Sequence, residues 1–204
     1  MMNPPHLGHR AVVDAVHAAC GLDRVVVVPA GIPPHRRAPQ VSARARLTMA
    51  VRAFADLDHV VVSDSEVERG EDGDPGYMVD TVAEVIEAPA SLGYDDLEVH
   101  AWLVVGADQA ATLHSWERWE QLRGMARIAI VARPDQIAAD TLAATVRELE
   151  AGGAEVDLVP MPEVPISSTI VRDVAATGDV DALRALIPEA IVNDVLQLYG
   201  PSTS

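Results

Sequence analysis

The sequence predicts an α/β fold: a doubly wound parallel sheet with helices on both faces. Short β-branched runs alternate along the chain with longer segments of helical pattern. The runs are apolar at consecutive positions rather than at every second one. A strand covered on both faces has no polar side to show, so continuous apolar strands mark a parallel sheet, and strand–helix alternation marks βαβ units. No internal repeat, linker or low-complexity tract interrupts the 204 residues. One core serves a chain of that length, so a single domain over 1–204 is expected.

In chain order, Pro4-Pro5 forbids a helix before it, because proline lacks the amide donor and fixes φ. After Gly8 the pattern turns helical through 9–19, which sets His6 on a turn and His9 at a helix N-terminus. That end carries free amides and partial positive charge, so it favours an anion; the alternative is a pair of polar turn and capping residues. Strands are predicted at 24–28, 59–63, 101–106, 127–131 and 156–159. Helices are predicted at 42–55, 78–88, 116–123 and 137–151, then at 168–177, 179–186 and 188–198 within the same domain. The acidic stretch from Glu66 to Asp74, closing on Pro75-Gly76, reads as a solvated, mobile loop.

Composition narrows the function. Net charge is −16, which argues against a long nucleic acid as partner. All fifteen basic residues are arginines. A Walker-type phosphate loop needs a lysine after its glycines, so that class of ATP site is excluded. The single cysteine, Cys20, rules out a disulfide framework. No apolar run reaches membrane-spanning length and no signal peptide precedes the first motif, so a cytoplasmic protein without a membrane partner is expected. Homo-oligomerisation stays open.

Ligands of such folds bind at the carboxyl ends of the strands, and distinctive residues follow most of them. After the first strand, Pro33 and Pro34 brace His35, Arg36 and Arg37, either as a basic phosphate clamp or as a solvated loop. Arg44 reads as a solvated helix residue. After the third strand, Gly106-Ala107-Asp108 offers a carboxylate to sugar hydroxyls or to the next helix as a cap. Trp116 and Trp119, three apart, share a predicted helix face; Trp119 reads as core, and Trp116 is placed to stack a heterocycle. Ser167, Ser168, Thr169 and Arg172 open a helix behind Pro165. One hydroxyl suffices for a cap, so the set looks like a second anion cradle. His17, His59, His100 and His114 read as structural or solvated.

These features together suit a nucleoside triphosphate held without a Walker loop. HLGH (6–9), PPHR (33–36), RLTM (46–49), GYMVDT (76–81), GAD (106–108), Trp116, ARP (132–134) and ISSTIVR (166–172) occur in this order. In them the chain resembles the bacterial nicotinate-mononucleotide adenylyltransferases, Rossmann-like nucleotidyltransferases of the HxGH superfamily, over essentially its whole length. The resemblance implies transfer of the adenylyl group of ATP to nicotinate mononucleotide, giving deamido-NAD and pyrophosphate. By the same resemblance His6, His9, Arg36 and Arg172 act on the phosphates, and Ser167, Ser168, Thr169 and Arg133 complete the ATP site. Asp108 binds the ribose. Pro34, His35, Arg46, Tyr77, Met78 and Trp116 receive the mononucleotide. Mg²⁺ is expected to ride on the ATP phosphates, with no protein metal cluster.

Two departures from the family pattern stand out. Relatives carry a strand and a Gly-Gly-Thr/Ser-Phe-x-Pro turn before HxGH. Here Met1-Met2-Asn3-Pro4 stands instead, so a sheet without its central strand, and a gene product starting upstream, are expected. Relatives also carry threonine where Met78 stands. A thioether donates no hydrogen bond, which weakens the preference for acid over amide and leaves backbone amides as the donors. The alternative functions are an adenylyltransferase preferring nicotinamide mononucleotide or another phosphorylated acceptor, and a nucleotide-binding relative without turnover.

Overall fold

A computed structural model describes residues 2–32, 41–74, 76–87, 99–132, 138–162 and 164–201. The element order is α1 (Leu7–Cys20), β1 (Val25–Val27), α2 (Ala43–Phe54), β2 (Val60–Val62), α3 (Ser65–Glu71), α4 (Met78–Glu87), β3 (Ala101–Gly106), α5 (Ala107–Ala110), α6 (Trp119–Met125), β4 (Ala126–Ala132), α7 (Ala139–Ala151), β5 (Val156–Pro160), α8 (Ser168–Thr177), α9 (Val180–Arg184) and α10 (Val192–Tyr199). The chain clusters into two units, Met1–Asp14 with Asp23–Gly76 and Val164–Ser204, and Ala15–Leu22 with Tyr77–Glu163.

The first unit carries a parallel β1–β2 pair, in register from Val25 opposite Val60 to Val27 opposite Val62. Helix α2 covers it with Met49, Ala50, Ala53 and Phe54, all buried. Ser42 caps α2 by accepting the Ala45 amide at 3.2 Å, which removes one of the orphan donors of the first turn. The second unit carries the parallel order β3–β4–β5. Its core joins Leu103, Val105, Ile128 and Ile130 of the sheet to Val79, Leu113, Leu122 and Leu149 from the helices and turns. Every predicted strand is present, and every pairing among the described residues is parallel.

Four local expectations are corrected. The acidic stretch is not a loop at its start: Ser65–Glu71 forms α3, with Glu66 and Val67 buried. Glu66 and Glu68 in its first turn face the positive end of the helix dipole. Arg44 of α2 grips its last residue, donating from Nε and Nη2 to Glu71 at 2.6 and 2.5 Å. With one apolar residue in seven positions, α3 had no periodicity to betray it. Second, Trp116 is not on a helix with Trp119. It ends a 3₁₀ turn in an extended conformation (ψ 150°), and Arg118 enters the left-handed region (φ 52°, ψ 42°) before α6 starts at Trp119. Third, the last predicted helix opens as a separate 3₁₀ turn over Glu189–Ile191. The first helix also begins earlier than expected, at Leu7.

Candidate functional site

In the first unit, the HLGH turn and the start of α8 come into contact. His6 is buried, and its backbone amide donates to His9 Nδ1 at 3.2 Å. With Nδ1 accepting, neutral His9 carries its proton on Nε2, so the turn makes the ring a donor on its other nitrogen. The two imidazoles lie 3.7 Å apart between centroids, tilted by 37°. Gly8 is required between them. A Cβ there would sit 2.9 Å from His6 Nδ1 and 3.0 Å from Cε1, so any side chain would push the ring out of place.

Ser167 is the cap of α8, accepting the Ile170 amide at 3.2 Å. The remaining hydroxyls do other things. Ser168 Oγ donates to the Pro4 carbonyl at 2.9 Å, and Arg172 donates from Nη1 to the Asn3 carbonyl at 2.7 Å and from Nη2 to Thr169 Oγ1 at 3.1 Å. One of three hydroxyls therefore satisfies the helix end. Ser168 and Arg172 lie against the chain that leads into His6, and Thr169 accepts from Arg172.

Arg46 is also in this unit and is almost wholly buried, at 1% exposure. Its Nη2 donates to the Gly31 carbonyl at 3.0 Å, while Nε and Nη1 have no hydrogen-bond partner among the described residues. Burial pulls its pKa below the usual arginine range, opposed by the nearby Tyr199 and Glu66.

The second unit holds the other predicted residues. Asp108 follows β3 in α5 and is exposed. The N-cap position of α5 is Gly106, and Asp108 Oδ2 accepts Gln109 Nε2 at 3.0 Å. Its Oδ1 folds back to 2.6 Å from where a Gly106 Cβ would lie. Tyr77, Met78, Trp116 and Trp119 all pack, partly buried, against one core cluster. Tyr77, Met78 and Trp116 thus share one core, although 38 positions separate Met78 from Trp116 in sequence. Arg118, which sequence reasoning passed over, donates from Nη2 to Asp80 in the first turn of α4 at 2.5 Å. Hydrogen bonding to Asp80 raises its pKa, and Tyr77 lies within its electrostatic reach. Its left-handed backbone is invisible to pattern reading. Pro34, His35, Arg36 and Arg133 lie outside the described residues.

A cavity of about 530 Å³ opens at the other end of this sheet, where β3 and β4 begin, lined by Cys20, His100, Trp102, Arg123, Arg127 and Asp157 among others. Its guanidiniums are already engaged, Arg123 by Glu120 and Arg127 by Asp157 and Glu155. It lies at the amino ends of the strands, away from the carboxyl ends where α/β sheets bind ligands. Among the described residues no group of three or more His, Cys, Asp and Glu side chains is placed to hold a metal ion, and no helix is long and apolar enough to cross a membrane.

The parallel α/β fold thus sets the start of ISSTIVR against the residues that lead into HLGH. Residues 1–174 match the cytidylyltransferase-like family, and the chain belongs to it. Within that family it sides with the nicotinate-nucleotide adenylyltransferases. It is 32% identical over 201 residues to the probable nicotinate-nucleotide adenylyltransferase of Pseudomonas paraeruginosa, covering 94% of this chain and 89% of that one. It is 33% identical over 210 residues to the probable nicotinate-nucleotide adenylyltransferase of Chromohalobacter salexigens, covering 95% of this chain and 89% of that one. The fold is that of the Plasmodium falciparum nicotinic acid mononucleotide adenylyltransferase solved in complex with NaAD (TM-score 0.68, 14% identity, 96% of this chain and 90% of that one).

Proposed function

We propose that this chain transfers the adenylyl group of ATP to nicotinate mononucleotide, forming deamido-NAD and pyrophosphate, and that residues 1–204 act as one nucleotidyltransferase domain. The observation that supports the site is the contact between the ISSTIVR motif and the segment leading into HLGH, more than 160 residues away: Ser168 and Arg172 donate to the carbonyls of Pro4 and Asn3, just before His6. The names of the relatives support the substrate class.

The chemistry asks little of the side chains. A phosphate oxygen of the mononucleotide, already anionic at neutral pH, attacks the α-phosphorus of ATP. The bond from that phosphorus to the bridging oxygen breaks, and pyrophosphate leaves with the electron pair. No protein nucleophile or base is needed, so catalysis is alignment and stabilisation of charge. His9 Nε2 and His6 donate to the phosphates as charge develops. Arg172, anchored on the Asn3 carbonyl, offers its remaining N–H groups to the β- and γ-phosphates, the hydroxyls of Thr169 and Ser168 rotate toward them, and Arg36 and Arg133 add charge. Asp108 accepts from the ribose hydroxyls. Trp116 stacks the pyridine, Tyr77 and Met78 shape its pocket, and Arg46, Pro34 and His35 complete the mononucleotide side. Mg²⁺ would be held by the ATP phosphates rather than by a cluster of protein ligands, and would supply charge neutralisation there.

The test is incubation of the protein with MgATP and either nicotinate or nicotinamide mononucleotide, with the dinucleotide quantified by chromatography. Deamido-NAD and equimolar pyrophosphate are expected. Preference for the amide would reassign the substrate. ATP binding without turnover, seen as a thermal shift alone, would refute the enzyme.

A further inference from the structure

Tyr199 belongs to no motif, yet it reaches the site. It ends α10, half-buried, and its hydroxyl donates to Asn3 Oδ1 at 2.6 Å, across 196 residues of sequence. The main chain of the same asparagine receives Arg172 at 2.7 Å, and the next carbonyl receives Ser168 at 2.9 Å. Asn3 is therefore gripped by its side chain and its backbone from two different helices. Pro4 and Pro5 follow, both buried, and their ring-fixed φ angles pass that placement on to His6 with little slack.

The phenol suits this task. Burial pushes its pKa up to about 12, against the pull of the Arg172 and Arg46 guanidiniums. It stays protonated, and so a donor, throughout any working pH. It also stands within electrostatic reach of both arginines without competing with Arg172 for its acceptor, because Arg172 takes the backbone oxygen of Asn3 and Tyr199 the side-chain oxygen.

We propose that Tyr199 is a positioning residue for adenylyl transfer: its hydroxyl fixes Asn3, and through Asn3 both the approach to the HLGH turn and the guanidinium of Arg172. This rests on the function proposed above. Tyr199 touches neither substrate. It acts by holding the donors where the phosphates need them, and misplacement on the order of 1 Å costs up to about 100-fold in rate.

The experiment compares Tyr199→Phe, Asn3→Ala and the double variant with the parent protein. Four quantities are read: kcat, KM for each substrate, the unfolding temperature, and the ¹⁵N imidazole NMR signals. Tyr199→Phe keeps the ring and its packing, so the unfolding temperature should fall by only a few degrees. kcat should drop about tenfold, with KM for nicotinate mononucleotide unchanged. The His6 and His9 signals should move while those of His100 and His114 stay. Asn3→Ala should reproduce the loss, and the double variant should be no worse than either single one. Unchanged kcat in Tyr199→Phe overturns the proposal, as do losses that multiply in the double variant. If the parent protein makes no dinucleotide, the functional reading fails. The imidazole signals then decide alone, and unmoved His6 and His9 overturn the positioning role.

Discussion

Replacing Gly106 by alanine should damage ATP binding and leave the fold intact. An alanine Cβ would lie 2.6 Å from Asp108 Oδ1, where ordinary contact begins at 3.4 Å. The carboxylate must therefore retreat by about 0.8 Å, the difference of the two, since ordinary van der Waals contact sets the limit. Nothing rigid resists that movement. Asp108 is exposed, and its hydrogen-bond partner is the side-chain amide of the neighbouring Gln109. The backbone of Gly106 (φ −71°, ψ 154°) is open to alanine. An off-rotamer side chain costs about 0.5–1.5 kcal/mol, and losing a glycine recovers about 0.4–1 kcal/mol through the unfolded chain. The unfolding temperature should consequently move by no more than a few degrees. A ribose-binding carboxylate displaced by most of an ångström is a different matter, because such displacements cost up to about 100-fold. KM for ATP should rise about tenfold or more, while KM for the mononucleotide stays. The assay is initial-rate kinetics with each substrate varied in turn, run also in an Asp108→Ala background, where Gly106→Ala should add nothing. Unchanged KM for ATP, or a full additional loss when Asp108 is already gone, would refute the assignment of Asp108 to the ribose.

Other outcomes follow from the same geometry. His9→Ala should lower kcat about 100-fold, the usual loss for one preorganised donor to a developing anion, with KM for ATP changed far less; equal loss in both would mean that His9 only binds. Met78→Thr restores a hydroxyl donor at the start of α4 and should lower KM for nicotinate mononucleotide but not for the amide, as initial rates with both substrates will show. Hydrogen bonding from Arg127, and secondarily from Trp102, holds the Asp157 carboxyl below the usual aspartate range. A group depressed in the folded state stabilises above its unfolded pKa, about 3.9, and loses that contribution as pH falls through the folded value. Thermal melts from about pH 6 down to about pH 3 should therefore drop more steeply in the parent than in Asp157→Asn; parallel curves would mean that the pair contributes nothing.

Much of this molecule was legible without coordinates because the signals are local. The strands are rich in consecutive apolar residues, so all five runs could be read directly, although β4 carries Arg127 and β5 carries Asp157 and exposes Leu158. Serine at a helix start, an aspartate behind Gly-Ala, and histidines around a glycine each owe their meaning to neighbours within one turn. Even the family could be read, since its motifs are short and ordered. The misreadings are of the opposite kind. Helix α3 is stabilised by burial of Val67 and by an ion pair from Arg44, 27 residues away. Trp116 leaves its predicted helix because Arg118 takes a left-handed backbone, a choice that no side-chain pattern announces.

The sequence by itself therefore determined the fold class, the strands, the helices that follow HLGH and Pro165, and the exclusion of a Walker site, because each depends on residue type and short spacing. Only the tertiary structure decided which groups meet. It turned Ser168 and Arg172 onto the carbonyls of Pro4 and Asn3, buried Arg46 with two of its donor nitrogens unpartnered among the described residues, and brought Tyr199 from the far end of the chain to Asn3. Hydrogen bonds of that reach are set by how helices pack, and a linear sequence records the donors but not the distances between them.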